Sequence, residues 1–177
     1  VTGGAGFIGS HIVEQLISLG HEVVVVDNEY SDNENFYWRK DTYNVKIDIT
    51  DKALKNAFTN VDYVFHLAAE ARIGPAIENP VNAVNINTIG TCNVLQCARD
   101  AGVKKVMYSS TSSGYGLNPS PNDETQPDNC LNPYSVSKVA GEKICKMYTD
   151  LYGLKTVIFR YFNVFGERAA KKGQYAP

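Results

Sequence analysis

Tyr134 and Lys138 stand four residues apart in Asn132-Pro133-Tyr134-Ser135-Val136-Ser137-Lys138. On a helix both side chains lie on one face, one turn from each other. A tyrosine with a pKa of about 10 is a poor base near neutrality, but an adjacent ammonium favours the phenolate and lowers that value. A nearby hydroxyl could hold an alcohol oxygen while Tyr134 removes its proton and a hydride leaves the carbon. The chemistry is alcohol oxidation, and it needs a hydride acceptor. The run Ser109-Ser110-Thr111-Ser112-Ser113 supplies the hydroxyls. A tyrosine and lysine at this spacing are by themselves a common surface pair, so the rest of the chain must decide.

The deciding stretch is Thr2-Gly3-Gly4-Ala5-Gly6-Phe7-Ile8-Gly9-Ser10. Gly3 permits a tight turn, Gly6 lets backbone approach a pyrophosphate without a Cβ in the way, and Gly9 lets the following helix pack closely on its strand. The first helical turn, with Phe7 and Ile8, offers unpaired N–H groups and the positive end of a dipole to an anion. Apolar residues Ile8, Ile12, Val13, Leu16, Ile17 and Leu19 recur at helical spacing up to Gly20, and the run Val23-Val24-Val25-Val26-Asp27 follows. This pattern predicts a βαβ unit. Asp27 closes the second strand 18 residues after Gly9, where a carboxylate can accept hydrogen bonds from the ribose hydroxyls of an adenine dinucleotide. The alternative for Asp27 is a turn or N-cap aspartate, and its place beyond such a loop favours the ribose.

Further elements must position these groups. The segment 28–39 reads as an exposed loop near the adenosine end, without assigned chemistry. Asn44–Ile49 predicts a short strand, with Thr50-Asp51 capping a helix to about Phe58. Asp48 and the Ile49 backbone either meet the adenine edge or close a turn. Val61–Ala69 predicts a strand whose small end, Leu67-Ala68-Ala69, suits close passage of a cofactor. From Asn82 to Ala101, Val84, Ile86, Ile89, Val94, Leu95 and Ala98 predict one long packed helix. Asn85 and Asn87 inside it either hold backbone groups, bridge to the active site, or are exposed and neutral. Lys104–Ser110 predicts a strand that delivers the hydroxyl cluster to its carboxyl end, where ligands meet an open α/β sheet. The helix of Tyr134 and the strand Lys155–Tyr161 complete an α/β fold: a Rossmann-type doubly wound parallel sheet with helices on both faces, one NAD(P)-binding domain over 1–177.

The chain has 177 residues, 44% of them hydrophobic, and a net charge of −2. That composition is globular and gives no general grip on nucleic acid or an anionic membrane. No stretch is long enough and apolar enough to span a bilayer as a helix, so the cytoplasm is the expected location. Cys92, Cys97, Cys130 and Cys145 lack metal-ligand spacing, and no metal or disulfide framework is expected. The polypeptide starts with two residues ahead of its glycines and stops at Gly173-Gln174-Tyr175-Ala176-Pro177. Part of the first strand is therefore expected to be missing.

TGGAGFIGS at 2–10, HLAA at 66–69, SSTSSGYG at 109–116, NPYSVSK at 132–138 and RYFNVFGER at 160–168 resemble, in order and spacing, the NAD-dependent sugar-nucleotide epimerase/dehydratase family, which are extended short-chain dehydrogenases/reductases. The resemblance implies Tyr134 and Lys138 as the acid/base pair and Thr111, four residues before the tyrosine of the YG pair, as the catalytic hydroxyl. It implies substrate contacts from Ser110, Ser112, Tyr134 and Asn163, the last at the nucleotide-sugar diphosphate. Cofactor contacts are implied for Gly3, Gly6, Phe7, Ile8, Gly9, Asp27, Asn28, Asp48, Ile49, Leu67, Ala68, Ala69, Tyr134, Lys138 and Tyr161, with Asn85 at the nicotinamide end. Asp27-Asn28, without an arginine suited to a 2′-phosphate, points to NAD over NADP. Family members that eliminate water follow the threonine with Asp-Glu, whereas Ser112-Ser113 stands here. That departure favours a UDP-sugar 4-epimerase over a 4,6-dehydratase or decarboxylase, with a non-catalytic dinucleotide-binding protein as the third reading. The resemblance also implies a homodimer through helices 92–101 and 134–152, and that most of a smaller substrate domain is missing.

Overall fold

The structure is a computed structural model and describes residues 1–31 and 35–169. The closing Gly173-Gln174-Tyr175-Ala176-Pro177 and three residues of the 28–39 loop lie outside the described residues. Five parallel strands form the sheet: β1 (Val24–Asp27), β2 (Tyr43–Lys46), β3 (Tyr63–His66), β4 (Lys105–Thr111) and β5 (Thr156–Tyr161). β1 pairs with β2, while β4 lies between β3 and β5. Thr2 joins the two groups, bridging Val26 on one side and His66 on the other. The order is thus β2, β1, the Val1-Thr2 segment, β3, β4, β5. Strand order reverses beside Thr2, which puts the glycine turn at the switch point where open α/β sheets bind ligands.

Side chains of β1 alternate between two cores because successive residues of a strand point to opposite faces. Val23 and Val25 join Val13 of α1 (Phe7–Ser18) on one face. Val26 joins the larger cluster of Leu54, Val94, Leu95, Ala98, Val106, Tyr108, Cys145 and Tyr148 on the other. Helices α4 (Thr91–Asp100) and α5 (Pro133–Tyr152) supply much of that cluster. The expected doubly wound arrangement is what the chain adopts.

Several elements differ from the sequence expectation. The strand expected at 44–49 is shorter, ending at Lys46, because Asp48 turns the chain by accepting hydrogen bonds from Thr50 N and Oγ1. The strand expected at 61–69 ends at His66, and the segment Lys52–Phe58 is a 3-10 helix capped by Asp51. Two short helices, α2 (Ile73–Glu78) and α3 (Pro80–Val84), precede α4, and a π-helical turn over Asn85–Gly90 links α3 to it. Val84 and Ile89 are exposed rather than packed. The buried stripe instead runs through Ala83, Asn87, Gly90, Val94 and Ala98. A polar residue and a glycine sit in it because Asn87 is fully hydrogen-bonded and Gly90 closes on Ile49, where a Cβ would come within 2.6 Å of Cδ1. The four cysteines are free thiols.

Candidate active site

The glycine turn is built by backbone contact. Gly3 has a φ of +69°, and a Cβ there would lie 2.7 Å from Ala68 N; one on Gly9 would lie 2.1 Å from Gly3 O. At Gly6 the nearest atom is Gly3 O at 3.4 Å, so that face is open. α1 starts at Phe7 without a side-chain cap, which leaves first-turn N–H groups for an anion. The turn opens a cleft of about 670 Å³ at the carboxyl ends of the strands. A dinucleotide's diphosphate fits this cradle, since a Cβ at Gly6 would occupy the approach.

Every residue expected to bind cofactor or substrate lines this cleft except Asn85. Asn85 is exposed and lies outside that lining. Its neighbour Ile86 lines the cleft instead, and Asn87 turns inward. Asn87 Oδ1 accepts from Glu70 N (2.8 Å), and Nδ2 donates to Glu70 O (3.0 Å) and Ser137 Oγ (3.0 Å). Ser137 Oγ donates in turn to Tyr134 O (2.9 Å). Asn87 therefore ties the loop after β3 to the first turn of α5. The sequence pattern marked Asn85 and Asn87 alike as unusual in a helix, and only the packing of the helix against α5 and the loop after β3 shows that Asn87 is the one turned inward.

At the adenosine end, Asp27 accepts from Ala5 N (3.1 Å) and Glu29 N (2.8 Å), which fixes its carboxylate, while burial pushes its pKa up. Asn28 donates to Asp48 (2.6 Å), so Asp48 both closes a turn and lines the cleft beside Ile49. Tyr30, Ser31 and Phe36 also line it, although the loop holding them shows no periodic pattern. The Tyr30 hydroxyl accepts from Asn82 Nδ2 (2.7 Å), joining this loop to α3.

At the other end, Asn132 caps α5 by accepting from Ser135 N, with Pro133 in the first turn. This local signal sets where the helix begins and so places Tyr134 and Lys138 on the cleft. Thr111 ends β4, and its Oγ1 accepts from Ser113 N (3.1 Å). Ser110 lines the cleft too, yet its hydroxyl donates to Glu142, a carboxylate held by Arg160 Nε (2.9 Å) and Nη2 (2.7 Å). This Glu142–Arg160 pair behind the hydroxyl cluster was not legible from spacing. Tyr161 and the following Phe162, Asn163, Val164 and Phe165 form the remaining wall. Arg168 anchors that segment to α1 through Ser10 (3.1 Å) and Glu14 (2.5 Å).

Lys138 is 4% exposed, and burial lowers its pKa from 10.5 to about 8. Between those values the folded protein binds fewer protons than the unfolded chain, so stability rises with pH from about 8 to 10.5. Below pH 8 the buried ammonium costs about 3 kcal/mol at 1.36 kcal/mol per unit. Lys138→Met is accordingly expected to raise unfolding free energy at pH 7 by about 2–3 kcal/mol, measured by urea denaturation.

His66 is 1% exposed and shares hydrogen bonds with Thr2 Oγ1 (2.7 Å) and Thr91 Oγ1 (2.9 Å). Burial, with the Lys138 charge, lowers its pKa to about 3. Its neutral form contributes stability above pH 6.5, lost as pH falls toward 3. Near pH 5 the loss should be about 2 kcal/mol, seen as a fall in Tm that His66→Gln attenuates.

Among the described residues no cluster of side chains could hold a metal ion, and no helix is long and apolar enough to cross a membrane. Residues 1–176 match the family model described as the NAD dependent epimerase/dehydratase family. The chain is 41% identical over 179 residues to UDP-glucuronate 4-epimerase of Thermodesulfobacterium geofontis, covering 94% of this chain and 55% of that protein. It is 40% identical over 187 residues to UDP-N-acetyl-alpha-D-glucosaminuronate decarboxylase of Bacillus cytotoxicus, covering 99% and 57%. Among solved structures, UDP-glucose 4-epimerase of Thermus thermophilus in complex with NAD superposes with a TM-score of 0.92 at 38% identity, covering 99% of this chain and 58% of that one. The chain thus spans little more than half the length of the proteins it matches.

Proposed function

Because the chain belongs to the NAD-dependent epimerase/dehydratase family, we propose that it is the NAD-binding Rossmann-like domain, over 1–177, of a nucleotide-sugar 4-epimerase acting on a UDP-hexose or UDP-N-acetylhexosamine. The observation that carries this reading is that Thr111, Tyr134 and Lys138 line the same cleft that begins at the glycine turn. Relatives named as UDP-sugar 4-epimerases support the reaction type.

In this reading Gly3, Gly6, Gly9 and the first turn of α1 hold the diphosphate of NAD, and Asp27 holds the adenosine ribose. When bound, NAD supplies a hydride acceptor and donor for the sugar carbon bearing the 4-hydroxyl. Thr111 positions that hydroxyl. Tyr134 takes its proton at the phenolic oxygen and gives it back, and the Lys138 ammonium favours the phenolate. Ser112 and Asn163 contact the nucleotide sugar, with Ser110 shaping the wall through its bond to Glu142. The exposed apolar residues Val136, Met147 and Leu151 on α5 support a homodimer of the whole protein.

The decarboxylase relative supports a second reading in which the 4-keto sugar is processed further. Ser112-Ser113, in place of an acidic pair, favours epimerisation. The test mixes the whole protein with NAD and UDP-hexoses or UDP-N-acetylhexosamines and follows the sugar by NMR. Appearance of the C4 epimer supports the proposal. A 4-keto-6-deoxy or decarboxylated product, or binding without turnover, overturns it.

A further inference from the structure

The Lys138 side chain is buried, 4% exposed, and among the described residues no carboxylate lies within ion-pair distance of its Nζ. The group placed against the ammonium is an aromatic ring. Nζ sits over the face of Tyr108, 4.5 Å from the ring centroid. Tyr108 is fully buried on β4, and its hydroxyl donates to Lys138 O at 3.0 Å. Gly141, one turn along α5, makes room for this contact, because a Cβ there would come within 2.3 Å of the Tyr108 Oη. The His66 ring, pinned by Thr2 and Thr91, packs tilted against Tyr108 with centroids 5.6 Å apart.

We propose that Tyr108 is a positioning residue for the acid/base pair: its π face holds the Lys138 ammonium charged and in place. The negative face of an aromatic ring attracts a cation most strongly where both are desolvated, and this pair is. A ring does so without adding an anion, which would neutralise the field that acidifies Tyr134. The inference rests on the assignment of Tyr134 and Lys138 made under the proposed function. Other groups that face Lys138 are His66 from β3, and Cys145 and Glu142 along α5.

The test replaces Tyr108 by phenylalanine and then by phenylalanines carrying one, two and five ring fluorines, which weaken the π face with little change of shape. The readout is the Lys138 pKa, followed by NMR of carbon-13-labelled lysine in the whole protein, with the resonance assigned by Lys138→Arg. The pKa is expected to stay within a few tenths of a unit in Tyr108→Phe and to fall stepwise by about one unit across the series. The phenolate pKa of Tyr134, read by ultraviolet absorbance, should rise in parallel. A flat series, or a fall complete at Tyr108→Phe, overturns the proposal. The titration needs no substrate, so a graded fall in a protein that forms no epimer would discard the epimerase reading and keep the role of the ring. A flat series in an active enzyme would do the reverse.

Discussion

Tyr134→Phe is expected to lower kcat for epimerisation by about 10³-fold or more, within or above the range of general acid–base effects, while leaving NAD bound. The substitution removes the proton acceptor and little volume, and the ring keeps its place on the first turn of α5, which is capped by Asn132 independently of Tyr134. Loss in kcat and in kcat/KM by the same factor would mark an interaction made in the transition state. The measurement pairs steady-state kinetics with NAD titration by fluorescence. Turnover within tenfold of wild type would remove Tyr134 from the mechanism, and loss of NAD binding would instead assign it to the cofactor site.

The second large effect separates two glycines that the sequence motif treats alike. A Cβ on Gly9 would lie 2.1 Å from Gly3 O and 2.8 Å from Gly4 Cα, all backbone of a tight turn that cannot yield cheaply. Gly9→Ala is therefore expected to destabilise the protein by about 3 kcal/mol or more, in the range of overpacking and backbone strain, and to lose NAD with it. At Gly6 the only near atom among the described residues is 3.4 Å away. Gly6→Val should leave the urea midpoint little changed while reducing NAD affinity by at least about tenfold, since the side chain fills the space a diphosphate needs. Calorimetric titration beside denaturation reads both. Unchanged NAD affinity in Gly6→Val would refute the assigned cradle, and a stable Gly9→Ala would refute the close packing.

Much of the fold is local in origin and therefore legible in the chain. The glycine spacing before a helical apolar stripe, the four-valine run ending in Asp27, and the Asn-Pro start of α5 each act within one or two turns of chain. Spacing singled out Tyr134, Lys138 and a hydroxyl run at 109–113, the choice of Thr111 within that run came from the family resemblance, and all three line one cleft because strand ends and helix starts meet at the same edge of a parallel sheet. Where the reading failed, burial was decided from elsewhere. Val84 and Ile89 look like core residues, but the stripe that faces α5 and Ile49 contains Asn87 and Gly90. The strands ending at Lys46 and His66 stop early because pairing depends on the neighbouring strand rather than on apolar runs.

The class of fold, the phosphate-binding turn and the candidate acid/base pair are written in the chain itself, since they follow from residue type and spacing over short separations. Which asparagine faces inward, the commitment of Ser110 to Glu142 and Arg160, and the seat of Lys138 on Tyr108 emerge when distant elements pack together. Those partners lie 30 or more residues apart in the chain, and a desolvated charge takes whichever partner the packing of separate elements brings to it.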